Sequence, residues 1–104
     1  MTEQELIQEC IDKLFAQGAL GQNNKGVACY WQPNGCRCAV GVLVSEEEAK
    51  SYEREFALVE DIPKGYLPIR LIPFIEVLSE LQSIHDASET LEECLAKMQA
   101  IREC

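Results

Sequence analysis

Residues 29–44 read CYWQPNGCRCAVGVLV, and the reading of this stretch decides the fold. It carries three of the six cysteines, the only tryptophan and the longest apolar run, 39–44. Residues 27–31 are rich in β-formers and lead directly into Gln32-Pro33-Asn34-Gly35. Pro33 presets φ for the first corner of a turn, and Asn34 and Gly35 tolerate positive φ after it. The pattern predicts a β-hairpin, with residues 36–38 as the returning strand. Two strands alone are marginal in water, so the hairpin is expected to lie on helices. The run 39–44 is open to two readings. Its valines favour strand, whereas the small residues Ala39 and Gly41 suit a tightly packed helical turn, toward which the reading leans.

Outward from this stretch the chain reads as amphipathic helix. Thr2 with Glu5 forms a capping-box pattern. Leu6, Ile7, Cys10, Ile11, Leu14 and Phe15 then recur at helical spacing, and Gly18 suits a C-terminal cap, which predicts a helix over Glu3–Gln17. Gly21, Asn23, Asn24 and Gly26 mark a loop. Ser45 with Glu48 is a second capping box, predicting a helix over about 46–56 with Glu46, Glu47 and Glu48 facing the positive end of its dipole. Residues 60–68, with Pro63, Gly65 and Pro68, read as loop, from which Tyr66 and Leu67 dock on the core. Pro73 fits the first turn of the next helix. Phe74, Leu78, Leu81 and His85 share a face of that helix, flanked by Ile75 and Ile84. Residues 86–88 break the run. Thr90 with Glu93 caps a last helix whose stripe is Leu91, Cys94, Leu95, Met98 and Ile101. The expected fold is a single domain, 1–104, of α+β class and mostly α: three to four helices packed around one short β-hairpin.

Composition narrows the function classes. A chain of 104 residues, 47% of them apolar, supports one core. Nine basic against eighteen acidic residues give a net charge of -9. That argues against direct contact with nucleic acid or anionic membrane, both of which need cationic surface, and leaves a basic partner open. No apolar run is long enough to cross a bilayer. Thr2, Glu3, Gln4 and Glu5 stand where a basic leader would begin, so a cytoplasmic protein with reduced thiols is expected. The cysteines are accordingly not read as a disulfide framework. Cys10 and Cys94 fall on apolar helix faces as small buried hydrophobes, and Cys104 is a terminal residue.

Few residues could carry chemistry. His85 is the only histidine and sits beside Asp86 near a helix C-terminus, which favours imidazolium and offers a carboxylate to orient the ring. Cys38 adjoins Arg37 and, if Ala39 begins a helical turn, a helix N-terminus; both lower a thiol pKa. Cys38, His85 and Asp86 are therefore the candidate catalytic residues of a cysteine nucleophile. The plainer reading is packed thiols in a small core, with His85 capping its own helix. Cys29, Cys36, Cys38 and His85 form an alternative set of zinc ligands, although Cys36-x-Cys38 departs from the usual ligand spacing. No cofactor and no metal is expected.

Three stretches together resemble a family of small uncharacterised proteins encoded by tailed phages and prophages. They are Lys13-Leu14-Phe15-Ala16-Gln17-Gly18, then Cys29-Tyr30 through Gly35 to Cys38-Ala39-Val40-Gly41, then Leu81-Gln82-Ser83-Ile84-His85-Asp86. The family pattern has a leading helix ending L-F-x-Q-G, a segment C-x-Y … G-x-x-C-A-I-G-x-L-I, and a later helix ending L-Q-x-x-H-D. The matching positions are Cys29, Tyr30, Gly35, Cys38, Gly41, Gln82, His85 and Asp86, although Cys29 and Tyr30 are adjacent here where the pattern has one residue between them. The chain departs at Trp31, where a basic residue is commoner, and at Ser45, where proline or aspartate is usual. Cys10, Cys36, Cys94 and Cys104 have no counterpart, which weakens the zinc set. The resemblance implies a phage accessory gene more than an activity. Taken with the net charge of -9 and the lack of a convincing active site, it leads to the expectation of a protein that acts in the host cytosol by binding a host macromolecule, a host protein such as a defence or transcription component. Tyr30, Trp31, Arg37, Glu46 and Glu47 are the candidate binding residues, and a homodimer is one open arrangement. The alternatives are a cysteine-dependent hydrolase or transferase, a zinc-stabilised interaction module and a small-ligand sponge.

Overall fold

The computed structural model describes residues 1–22, 29–56 and 62–103. The first helix, α1 (Glu3–Gln17), starts where Thr2 Oγ1 accepts from the Glu5 N–H while the Glu5 carboxylate accepts from the Thr2 N–H. Those reciprocal bonds satisfy two donors that a helix start leaves open. It stops at Gly18, whose φ of +79° is left-handed and whose N–H closes on the Leu14 carbonyl. Leu6, Ile7, Cys10 and Leu14 form its buried face. Phe15, expected on that face, is 71% exposed. One residue further is about 100° of rotation, enough to carry it off the stripe that Leu14 ends.

Ser45 caps α2 (Glu46–Glu55) with the same reciprocal bonds to Glu48. A 3-10 run, Ile69–Phe74, contains Pro73 and feeds directly into α3 (Ile75–Ala87). Leu78, Leu81 and His85 are fully buried along one face of α3, as their spacing predicts. Thr90 Oγ1 accepts from the Glu93 N–H to start α4 (Leu91–Arg102), which buries Cys94 and Met98. α1 packs most extensively on α4, and α3 touches both. The 3-10 turn Gly41–Leu43 fits between α1 and α2, confirming the helical leaning for 39–44. A second 3-10 turn, Lys64–Tyr66, interrupts the loop before α3; Leu67 after it is buried, whereas Tyr66 is mostly exposed. Among the described residues no helix is long and apolar enough to cross a membrane.

The β-hairpin is absent, and the fold is all-helical among the described residues. The turn itself is present: the Gly35 N–H donates to the Gln32 carbonyl at 2.8 Å, and Gly35 has a φ of +87°. Asn34 Oδ1 accepts from the Cys36 N–H at 2.9 Å. What fails is the ladder, because its backbone groups are already engaged. Gln17 takes both polar groups of Arg37, its Oε1 accepting from the N–H at 2.8 Å and its Nε2 donating to the carbonyl at 2.9 Å. The Tyr30 N–H goes to the Glu53 carboxylate at 2.7 Å, and the Cys29 N–H to the Gly21 carbonyl at 2.8 Å. Between the arms, the Cys38 N–H reaches the Cys29 carbonyl at 2.8 Å. Val27 of the expected first strand, and Asn23, Asn24, Gly26, Glu60 and Cys104, lie outside the described residues.

Candidate functional site

Residues from all three quoted stretches meet around 37–41. Gln17, at the end of α1, clamps Arg37 as described. Gln82, on α3, accepts from the Val40 N–H at 3.2 Å through Oε1 and donates from Nε2 to Asp86 Oδ1 at 2.8 Å. One turn along α3, His85 is 0% exposed. Its Nε2 lies 3.1 Å from the Gly21 backbone nitrogen. A backbone N–H can only donate, so Nε2 is the acceptor and Nδ1 carries the ring proton, pointing to Asp86 Oδ1 at 3.4 Å. Gly21 has no room for a side chain: a Cβ there would stand 2.0 Å from the Arg37 carbonyl carbon. Gly41 is as tightly placed, 2.2 Å from the Tyr30 carbonyl oxygen by the same measure.

This geometry corrects the expected protonation of His85. Burial pushes its pKa below the ordinary value, and the half-exposed Asp86 offsets that only in part. The ring is neutral, and it anchors a loop rather than capping α3 as a cation.

The thiol expectation is corrected too. Cys38 is 1% exposed, and although the N–H groups of Val40 and Gly41 favour its thiolate, burial dominates and pushes the pKa up to about 12. Arg37 gives the sulfur no help. Its Nη1 donates to the Val44 carbonyl at 3.2 Å and to that of Gly41 at 3.5 Å. Cys38 and His85 form no hydrogen bond with each other: the two ring nitrogens are engaged by Gly21 and Asp86. A pKa near 12 in place of 9.0 lowers the thiolate fraction at pH 8 by about a thousandfold. Alkylation of the folded protein followed by peptide mapping is therefore expected to label half-exposed Cys36 and spare Cys38. Labelling of Cys38 at the rate of the unfolded chain would remove this account of the thiol.

The zinc set does not assemble. Among the described residues no three His, Cys, Asp or Glu side chains are placed to hold a metal, and the lone pair of His85 Nε2 is used by Gly21. Cys10 and Cys94 are buried as expected. The Cys10 sulfur lies 3.6 Å from the Ala39 carbonyl oxygen and 4.0 Å from Met98 Sδ, and burial raises the pKa of both thiols.

The binding candidates separate into two groups. Tyr30 is buried, its ring edge-on to Tyr52 at 5.8 Å, and Arg37 spends its guanidinium on backbone carbonyls. Glu46 and Glu47 are exposed, whereas Trp31 is half-buried, packed against the core with part of its ring open to solvent. The Lys50 ammonium stands 4.8 Å from the Trp31 ring centroid and 3.5 Å from Glu46 Oε1. An aromatic face and a carboxylate thus share one cation at the start of α2. Sequence reasoning missed Lys50, although its spacing of four residues from Glu46 is a recognisable helical pair. It also missed Gln17 as a clamp and Gly21 as a partner for His85. No protein-family model, curated protein or solved structure matches the chain.

Proposed function

We propose that the chain is a small acidic phage-type accessory protein that binds a basic protein of the host cytosol through Trp31 and the first turn of α2. The observation that carries this reading is the grouping of half-buried Trp31 and exposed Glu46 around the Lys50 ammonium. A lysine or arginine from a partner meets the same ring and carboxylate by displacing Lys50, while Glu47 and a net charge of -9 draw it in. The resemblance to phage accessory proteins supports the same class. The reading as a cysteine hydrolase or transferase loses support from the buried, poorly acidic Cys38 thiol.

Capture from host lysate over a salt series tests the proposal. A stoichiometric basic protein is expected, released as salt rises. Trp31→Ala is expected to weaken its binding by about thirtyfold, the scale of an interfacial aromatic anchor. Glu46→Gln with Glu47→Gln is expected to slow association more than it speeds dissociation. Equal capture by the native chain and by the triple variant would overturn the assignment.

A further inference from the structure

The Trp31 segment is tied to α2 one turn beyond Lys50. The Tyr30 N–H donates to Glu53 Oε1 at 2.7 Å, and Gln32 Nε2 donates to the Gln22 carbonyl at 2.7 Å, so both chain neighbours of Trp31 are held. The indole itself packs against the core. Glu46, Lys50 and Glu53 follow one another at spacings of four and three, which places them on one face of α2. The ring is therefore set in place by the fold. The Lys50 ammonium, in contrast, reaches it on a flexible four-carbon stem. The Lys50 and Glu46 side chains are 46% and 59% exposed, so an incoming group has access to both.

Three lysines form helical ion pairs of the same spacing. Lys13 lies 3.3 Å from Glu9, Lys97 lies 3.1 Å from Glu93, and Lys50 lies 3.5 Å from Glu46. At Lys50 the ammonium also stands 4.8 Å from the centroid of the Trp31 ring. That nitrogen thus sits where the cation of a partner would sit, within reach of an aromatic face and a carboxylate at once. Exposed contacts of these two kinds are each weak, so the ammonium is displaceable. Being part of the same chain, it is nevertheless always present at high effective concentration.

We infer that Lys50 is an internal competitor, holding the seat between Trp31 and Glu46 until an arginine of the partner displaces it. The inference rests on the reading that this ring and carboxylate receive a partner cation; it adds what holds the seat beforehand and which cation takes it. A guanidinium lies flat on the indole and forks toward the carboxylate, whereas a partner lysine offers only what Lys50 already supplies. While Lys50 holds the seat, the apparent affinity for the arginine falls by the fraction of chains in which the seat is open.

Trp31 is the only tryptophan, so its fluorescence reads the seat directly. The probes are the Nα-acetyl amides of arginine, lysine and citrulline, titrated into the full chain at constant ionic strength. Binding in the millimolar range is expected for the arginine probe, weaker binding for lysine and none for the uncharged citrulline. Lys50→Met keeps the aliphatic stem without the charge and is expected to bind the arginine probe about fivefold more tightly, the scale of the contacts removed. Lys50→Arg keeps a resident cation and is expected to gain nothing. Lys97→Met is the control, because it makes the same change in net charge and breaks the equivalent pair on α4; it is expected to match the native chain. Equal affinities for the native chain and Lys50→Met would overturn the inference and leave Trp31 standing as the partner contact. Equal gains in Lys50→Met and Lys97→Met would trace the effect to net charge and overturn it too. A lysine probe that binds as tightly as arginine would overturn the choice of arginine. No response to the arginine probe in either the native chain or Lys50→Met would remove the seat from this inference and from the function reading together.

Discussion

The Gly21→Ala variant is expected to melt about 20 °C below the native chain. The added Cβ meets the Arg37 carbonyl carbon at 2.0 Å, its oxygen at 2.3 Å and the Cys38 nitrogen at 2.3 Å. All three are backbone atoms, and none can retreat cheaply. Gln17 holds both polar groups of Arg37, and the Cys38 N–H is engaged by Cys29. The alternative, moving Gly21 itself, breaks its bonds to His85 and Cys29 together. A cost of about 4 kcal/mol places the substitution among the severe ones. Against a total of roughly 5–15 kcal/mol, and at about 5 °C per kcal/mol for a domain of this size, that gives the stated shift. Gly18→Ala is the control. Its position is left-handed, but nothing lies within 4 Å of an added Cβ. It is expected to cost about 1 kcal/mol, the ordinary penalty for that conformation. Equal melting temperatures for the two variants, followed by circular dichroism, would show that the close approach at Gly21 carries no weight.

His85→Ala is expected to cost about 3–4 kcal/mol. It opens a cavity where a fully buried ring stood and leaves the buried Gly21 N–H without an acceptor. His85→Gln keeps an acceptor on a side chain of comparable reach and is expected to recover part of the loss. The two also differ from the native chain in their response to pH. Above about pH 6.5 His85 is neutral in both the folded and the unfolded chain, so it adds no pH dependence there. Its folded pKa lies below the ordinary value. As pH falls from about 6.5 the unfolded chain therefore takes up the proton first, and stability declines until the folded pKa is passed. His85 is the only histidine, and Glu5, Glu9 and Glu93, whose carboxyls are lowered by their partners, titrate further down. Denaturant unfolding between pH 5 and 8 is thus expected to show the decline in the native protein and a flat profile in His85→Gln.

The helices were legible because their signals are local. A capping side chain and the residue three positions on are enough to place the starts of α1 and α2, and a run such as Leu78, Leu81 and His85 declares its face by spacing alone. The hairpin was misread for the opposite reason. Gln32-Pro33-Asn34-Gly35 does form its turn, but whether arms pair depends on which backbone groups remain free. Gln17, Glu53 and Gly21 take those groups from far along the chain, and nothing in residues 29–38 announces it. Protonation was misread through burial. The neighbours of Cys38 and His85 in sequence favour charge, whereas the interior that surrounds both disfavours it more strongly. Trp31 and Glu46 were identified separately, but the ammonium that links them sits on Lys50.

Nitrogen NMR of the His85 ring tests the central claim, that the histidine acts as a neutral acceptor tying Gly21 to α3. The account predicts an unprotonated Nε2 and a protonated Nδ1 at pH 7, with scalar coupling between Nε2 and the Gly21 N–H, persisting below pH 6.5. A doubly protonated ring at pH 7, or a proton on Nε2, would contradict it.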